Sequence, residues 1–244
     1  MPAETGHAKN VENFATLIAI VEGFGAEYQP SNAALEVAEM QVQLAAAEAS
    51  LVAVTDALMP HKTAVNERET AFASLRPLVT RVVNAYRATG ADQNRIDDAL
   101  TFARKIQGRR AKPKPKDDPN TPEDESERSH SASQQSYTQL VANLENLIAV
   151  LGQDSAYAPN ETVLQLASLT NYATILKNAN AAVSSTRPAV VNARIARDRT
   201  LYGDPSGVFY TQKLVKAYVK ALYGAASPQY DAINGLHFTK PRKR

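Results

Sequence analysis

Residues 31–89 carry one long apolar ladder interrupted at Pro60, and this ladder limits the possible folds more than any other stretch. Met40, Leu44, Ala47, Leu51, Val54 and Leu58 recur at alternating steps of four and three, the spacing that lines one face of a helix. The same phase continues past the proline through Val65, Phe72, Leu75, Val79, Val82 and Tyr86. Pro60 has no N–H to donate, so it should either kink a continuous helix or sit in the first turn of a new one. Ala33–Met59 is rich in Ala, Glu, Gln and Leu, all good helix formers. The expected fold class is therefore all-α.

The second half of the chain replays the first. Leu147–Leu151 (LIAVL) matches Leu17–Val21 (LIAIV), and Tyr157-Ala158-Pro159-Asn160 matches Tyr28-Gln29-Pro30-Ser31 at an offset of 129. Leu169, Tyr172, Leu176, Ala179 and Val183 form a second ladder, and Pro188 stands 128 residues after Pro60. Beyond the turn Gly203–Gly207 the offset becomes 136, aligning Leu214, Val215 and Val219 with Leu78, Val79 and Val83. An offset that stays at 128 to 129 across both ladders, with its one large jump at a visible loop, points to an internally duplicated helical bundle.

Four regions follow from this. A first helical repeat covers residues 1–107, with the first ten residues expected to fray for want of apolar periodicity. Residues 108–133 hold four prolines, a basic block and an acidic block with almost no apolar side chains, and read as a flexible linker. A second repeat covers residues 134–238, and residues 239–244 form a basic tail. Each ladder taken as one helix would span roughly 85 Å. A chain folding back at each proline would instead give two short antiparallel bundles. The unbroken phase and lack of glycine around Pro60 favour long kinked helices; Thr186 and Pro188, which resemble an N-cap and a first-turn proline, favour a turn.

The chain has no cysteine, and its four histidines (His7, His61, His130 and His237) are scattered, so disulfides and Cys/His zinc sites do not fit. The N-terminal apolar run is too short for a signal core, and no transmembrane segment is expected, consistent with a cytoplasmic protein. Nucleotide-binding glycine loops, GxSxG and HExxH are missing, and Glu36, Glu39 and Glu48 lack the Glu-x-x-His partners of di-iron bundles. No catalytic, cofactor or metal-binding residue is assigned, and the chain reads as a non-enzyme. His61, Arg68 and Arg197 fall on the ladders and read as long stems reaching to water rather than a buried polar site.

The net charge of +2 is unevenly spread. Residues 1–107 carry 9 Lys and Arg against 13 Asp and Glu, and residues 134–238 carry 8 against 6. An acidic first half and a weakly basic second half favour self-association, or binding of another protein, through the helical surfaces. Two basic stretches offer an alternative, the binding of nucleic acid or another polyanion. Their residues are Arg109, Arg110, Lys112, Lys114 and Lys116, then Lys240, Arg242, Lys243 and Arg244. Tyr202, Phe209, Tyr210, Tyr218, Tyr223 and Tyr230 interleave with Lys213, Lys216 and Lys220, a pattern that suits either a base-stacking face or a core edge with solvated lysines.

The segment Ala221–Ile233 (ALYGAASPQYDAI), the Tyr-x-Pro links and Val79-Thr80-Arg81 resemble a family of helical proteins predicted from bacterial genomes. The resemblance implies a helical fold and carries no activity and no site residue.

Overall fold

A computed structural model describes residues 5–109 and 135–241. The described residues are helical and contain no strand, so the chain is all-α. The helices are α1 (Thr5–Glu22), α2 (Val37–Ala73), α3 (Leu75–Ala88), α4 (Gln93–Gln107), α5 (Tyr137–Gly152), α6 (Leu166–Tyr202), α7 (Val208–Tyr223) and α8 (Pro228–Asn234). Most of the expected linker, residues 110–133, lies outside the described residues.

Neither Pro60 nor Pro188 ends a helix. Each lies inside a helix of 37 residues. A proline there orphans the carbonyl four residues earlier, on Asp56 and Ser184, and both prolines and both of those residues are exposed, so water can satisfy the carbonyls. Thr186, which reads in the sequence as a helix start, is inside α6. The break in the first ladder falls instead at Ser74, between α2 and α3. Pro77, three residues on, cannot donate to the carbonyl of Ala73, and its ring crowds that carbonyl.

The chain forms two units, Met1–Lys62 with Thr186–Arg244, and Thr63–Ser185. Each unit draws on both halves of the sequence, and the boundaries fall inside α2 and α6. In the first unit, α1 buries Phe14, Leu17, Ile18 and Val21 against Met40 and Ala47 of α2, Leu201 of α6, Val215 and Val219 of α7 and Ile233 of α8. There α2 and α6 run antiparallel: the Gln43 amide donates to the Ser206 carbonyl at 2.6 Å, and His61 Nδ1 lies 3.0 Å from the Thr186 hydroxyl. In the second unit, Leu75, Val79, Val82 and Tyr86 of α3 meet Ile106 of α4, Leu144, Leu147 and Leu151 of α5, and Leu169 and Leu176 of α6.

Two tyrosines hold the entries to the long helices in the same way. Tyr28 donates to the carbonyl of Leu35 at 3.0 Å, and Tyr157 donates to that of Leu164 at 2.7 Å. Each spans seven residues and closes a short 3-10 turn, Ala33–Leu35 or Thr162–Leu164. Burial pushes both phenols up to about 12. Asn32 accepts from the Ala34 N–H and starts the first of these turns.

The N-terminus differs from expectation. Helix α1 begins at Thr5, and His7 and Asn10 are buried. Their inward face is polar, so it escapes a search for apolar periodicity; its partners are distant in sequence.

Candidate interaction surface

Helix α2 has two faces of use, and only one is filled. Met40, Ala47 and Val54 of the ladder are buried. The outward positions Val42, Ala45, Ala49, Val52, Asp56 and Met59 also alternate by three and four, the spacing of a heptad seam. All six are exposed, with Val42 at 65%, Val52 at 58% and Met59 at 51% of their full accessibility. A stretch of 18 residues on this helix has a mean hydropathy of 1.4, yet only 11% of it is buried. The seam stops at Met59, because the next outward positions are Thr63, Asn66 and Thr70. A surface helix ordinarily has one apolar stripe and a polar opposite face, so a second, exposed apolar stripe departs from that pattern.

Helix α6 also exposes apolar side chains. Val191 and Ile195, one turn apart, are 44% and 62% accessible. They are flanked in the same i to i+4 row by Arg187 and Arg199, both exposed.

Among the described residues, one helical stretch, Val37–Ala88, comprising α2 and α3, is long and apolar enough to cross a membrane by length and composition. Its inward face packs on protein, through Met40 and Ala47 in one unit and Leu75 and Val79 in the other.

A buried polar cluster lies in the first unit. The Asn10 amide nitrogen donates to the Tyr202 hydroxyl at 3.0 Å and to the Thr239 carbonyl at 2.7 Å, and its oxygen accepts from the Thr239 N–H at 3.0 Å. Asn13 donates to the carbonyl of His237 at 2.7 Å, and His7 Nδ1 lies 2.8 Å from the Tyr202 hydroxyl. Burial is the main cause that raises the Tyr202 phenol. Two asparagines thus read the backbone of the C-terminal segment as a neighbouring strand would. The expected tail is fixed at least as far as Lys240, whose ammonium donates to the Tyr210 hydroxyl at 2.9 Å.

The three polar ladder residues each have their own partner. His61 meets Thr186, the Arg68 guanidinium sits 4.0 Å above the Tyr137 ring, and Arg197 is buried and donates through Nε and Nη2 to Asp198. Arg197 therefore does not reach to water as its length suggested; the adjacent carboxylate neutralises it in place.

The interleaved lysines and aromatics serve the first unit's own packing. Tyr218 stacks edge-on against Tyr28 and Tyr223 against Phe24, each at 5.3 Å. Lys213 lies 4.5 Å from the Phe209 ring, and Lys216 donates to the carbonyls of Asn234 and Leu236, closing the end of α8. Of the basic residues proposed for polyanion binding, Arg109 is exposed at the end of α4 and Lys240 is engaged with Tyr210. Arg110, Lys112, Lys114, Lys116, Arg242, Lys243 and Arg244 lie outside the described residues.

The second unit has a cleft of about 310 Å³ lined by Glu69, Phe72, Arg76, Gln135 and Tyr137. Arg76 already donates to Gln135 and to the carbonyl of Ile106, so its charge is committed. No group of three or more His, Asp or Glu among the described residues is placed to hold a metal ion. No family model, curated protein or solved structure matches the chain.

Proposed function

We propose that this is a non-enzymatic helical interaction protein that self-associates through the outward seam of α2. The observation that carries this reading is the exposure of Val42, Val52 and Met59 in a heptad row on a helix whose opposite row is already buried. Three large apolar side chains on one rigid ridge, interleaved with alanines that let a partner helix approach closely, suit helix-on-helix packing better than a small-molecule site. Another copy of the chain is the partner this surface suits, because the chain also carries a second exposed apolar row on α6.

The test is sedimentation velocity on the full chain from about 1 to 500 µM, comparing wild type with the triple variant Val42→Lys, Val52→Lys, Met59→Lys. Wild type should form a dimer or larger species, and the variant should stay monomeric with an unchanged helical circular dichroism spectrum. A wild type that is monomeric throughout the range would remove the proposal, as would a monomer that floats with phosphatidylcholine vesicles.

We further propose that the chain arose by internal duplication. In support, α2 and α6 have the same length of 37 residues, each contains a proline roughly two thirds along, and each is entered through a tyrosine bonded to the carbonyl seven residues ahead. Tyr28→Phe and Tyr157→Phe should then destabilise to a similar degree, by about 1–2 kcal/mol in urea unfolding.

A further inference from the structure

We infer that the surface covering the α2 seam is the row Arg187, Val191, Ile195 and Arg199 on α6 of a second copy. This rests on the self-association proposed above and names its contact. On α2, Glu48, Val52 and Asp56 stand four residues apart, an apolar centre between two carboxylates. On α6, Arg187, Val191, Ile195 and Arg199 are likewise four apart, an apolar centre between two guanidinium groups. All seven residues are exposed. Rows at i±4n are the ridges that helices set into one another's grooves. The carboxylates are about 12 Å apart along their helix and the guanidinium stems about 18 Å along theirs, a difference that long arginine side chains can bridge.

Charge selects this pairing over the symmetrical one. Between Val37 and Met59 the only charged residues are Glu39, Glu48 and Asp56, all acidic. Two α2 helices face to face would set carboxylates against carboxylates, which opposes association, whereas α6 brings opposite charge to the same apolar strip. The row on α6 places its arginines at the ends of its apolar centre, outside the strip they flank. They can therefore meet the carboxylates at the rim while Val52, Val191 and Ile195 exclude water from the middle.

The experiment uses two charge-reversed versions of the full chain. One carries Glu48→Arg and Asp56→Arg; the other carries Arg187→Glu and Arg199→Glu. Each by itself should weaken self-association at least tenfold in sedimentation equilibrium, and an equimolar mixture of the two should restore complexes of wild-type affinity. Wild-type association should also weaken several-fold between 50 and 500 mM salt. Circular dichroism checks that both variants keep their helical content. If reversal on α6 leaves association unchanged while reversal on α2 alters it, the α6 contact is overturned and self-association through α2 survives. Failure of the mixture to recover affinity would also overturn the contact, and a wild type that never associates would remove both.

Discussion

Tyr86 and Asp154 form the best-defined polar pair of the second unit. The phenol donates to Asp154 Oδ2 at 2.7 Å, and Oδ1 of the same carboxylate accepts from the Ala156 N–H at 3.0 Å, with Arg95 at 3.6 Å. The Tyr86 hydrogen bond is the first cause holding Asp154 below the usual carboxylate range, and burial pushes Tyr86 up to about 12. The carboxylate stabilises the fold fully above its unfolded value of about 3.9, and that contribution falls away as pH drops through the folded value. Tyr28, Tyr86 and Tyr157 behave oppositely: their neutral forms are favoured in the fold, so their contribution is complete below about pH 10 and lost as pH rises towards about 12. Urea midpoints should therefore be flat near neutrality and decline at both ends, and Tyr86→Phe should flatten both declines while costing about 1–2 kcal/mol at pH 7. Asn10→Ala should cost about 1–3 kcal/mol and release the segment around Thr239, read as faster amide exchange there with the core unchanged. Neither pair is legible in the sequence: Tyr86 and Asp154 are 68 positions apart and Asn10 and Thr239 are 229 apart.

At the level of the elements, the ladder and its helical period were legible, but the effect of each proline was not. Pro60 and Pro188 lie on exposed faces, where water can satisfy the carbonyls left without a partner; Pro77 follows the point where α2 yields to α3. Pro60→Ala should accordingly preserve the fold and raise its stability by about 1–3 kcal/mol, measured by thermal or urea unfolding. The turn between α6 and α7 depends on close approach. A Cβ on Gly207 would lie 2.7 Å from the Gly203 nitrogen and 2.8 Å from its oxygen, and the Gly207 N–H donates to that same oxygen at 2.6 Å. Gly207→Ala should destabilise by about 1–3 kcal/mol, since the atoms in the way are backbone.

For the whole molecule, the halves of the sequence and the units of the fold are different divisions of the chain. Each unit takes helices from before and after the central segment. Fragments 1–107 and 135–244 should each be poorly folded when expressed separately and should recover helical content and cooperative unfolding on mixing. Independent folding of either fragment, seen as a sharp thermal transition, would contradict that expectation. The outward seam was present in the sequence as the run of alanines and valines between Val42 and Met59, but apolar spacing does not distinguish a filled face from an open one. The interleaving of the two rows hid it within the ladder.

By itself the sequence determined an all-α protein with two long apolar ladders, and left open whether a helix runs through each proline, because period and helix propensity act over neighbours along the chain. Tertiary structure decided which face of α2 is filled, which prolines a helix tolerates, where α1 begins and which residues share a core. Those outcomes depend on burial and on partners far away in sequence, and spacing along the chain contains neither.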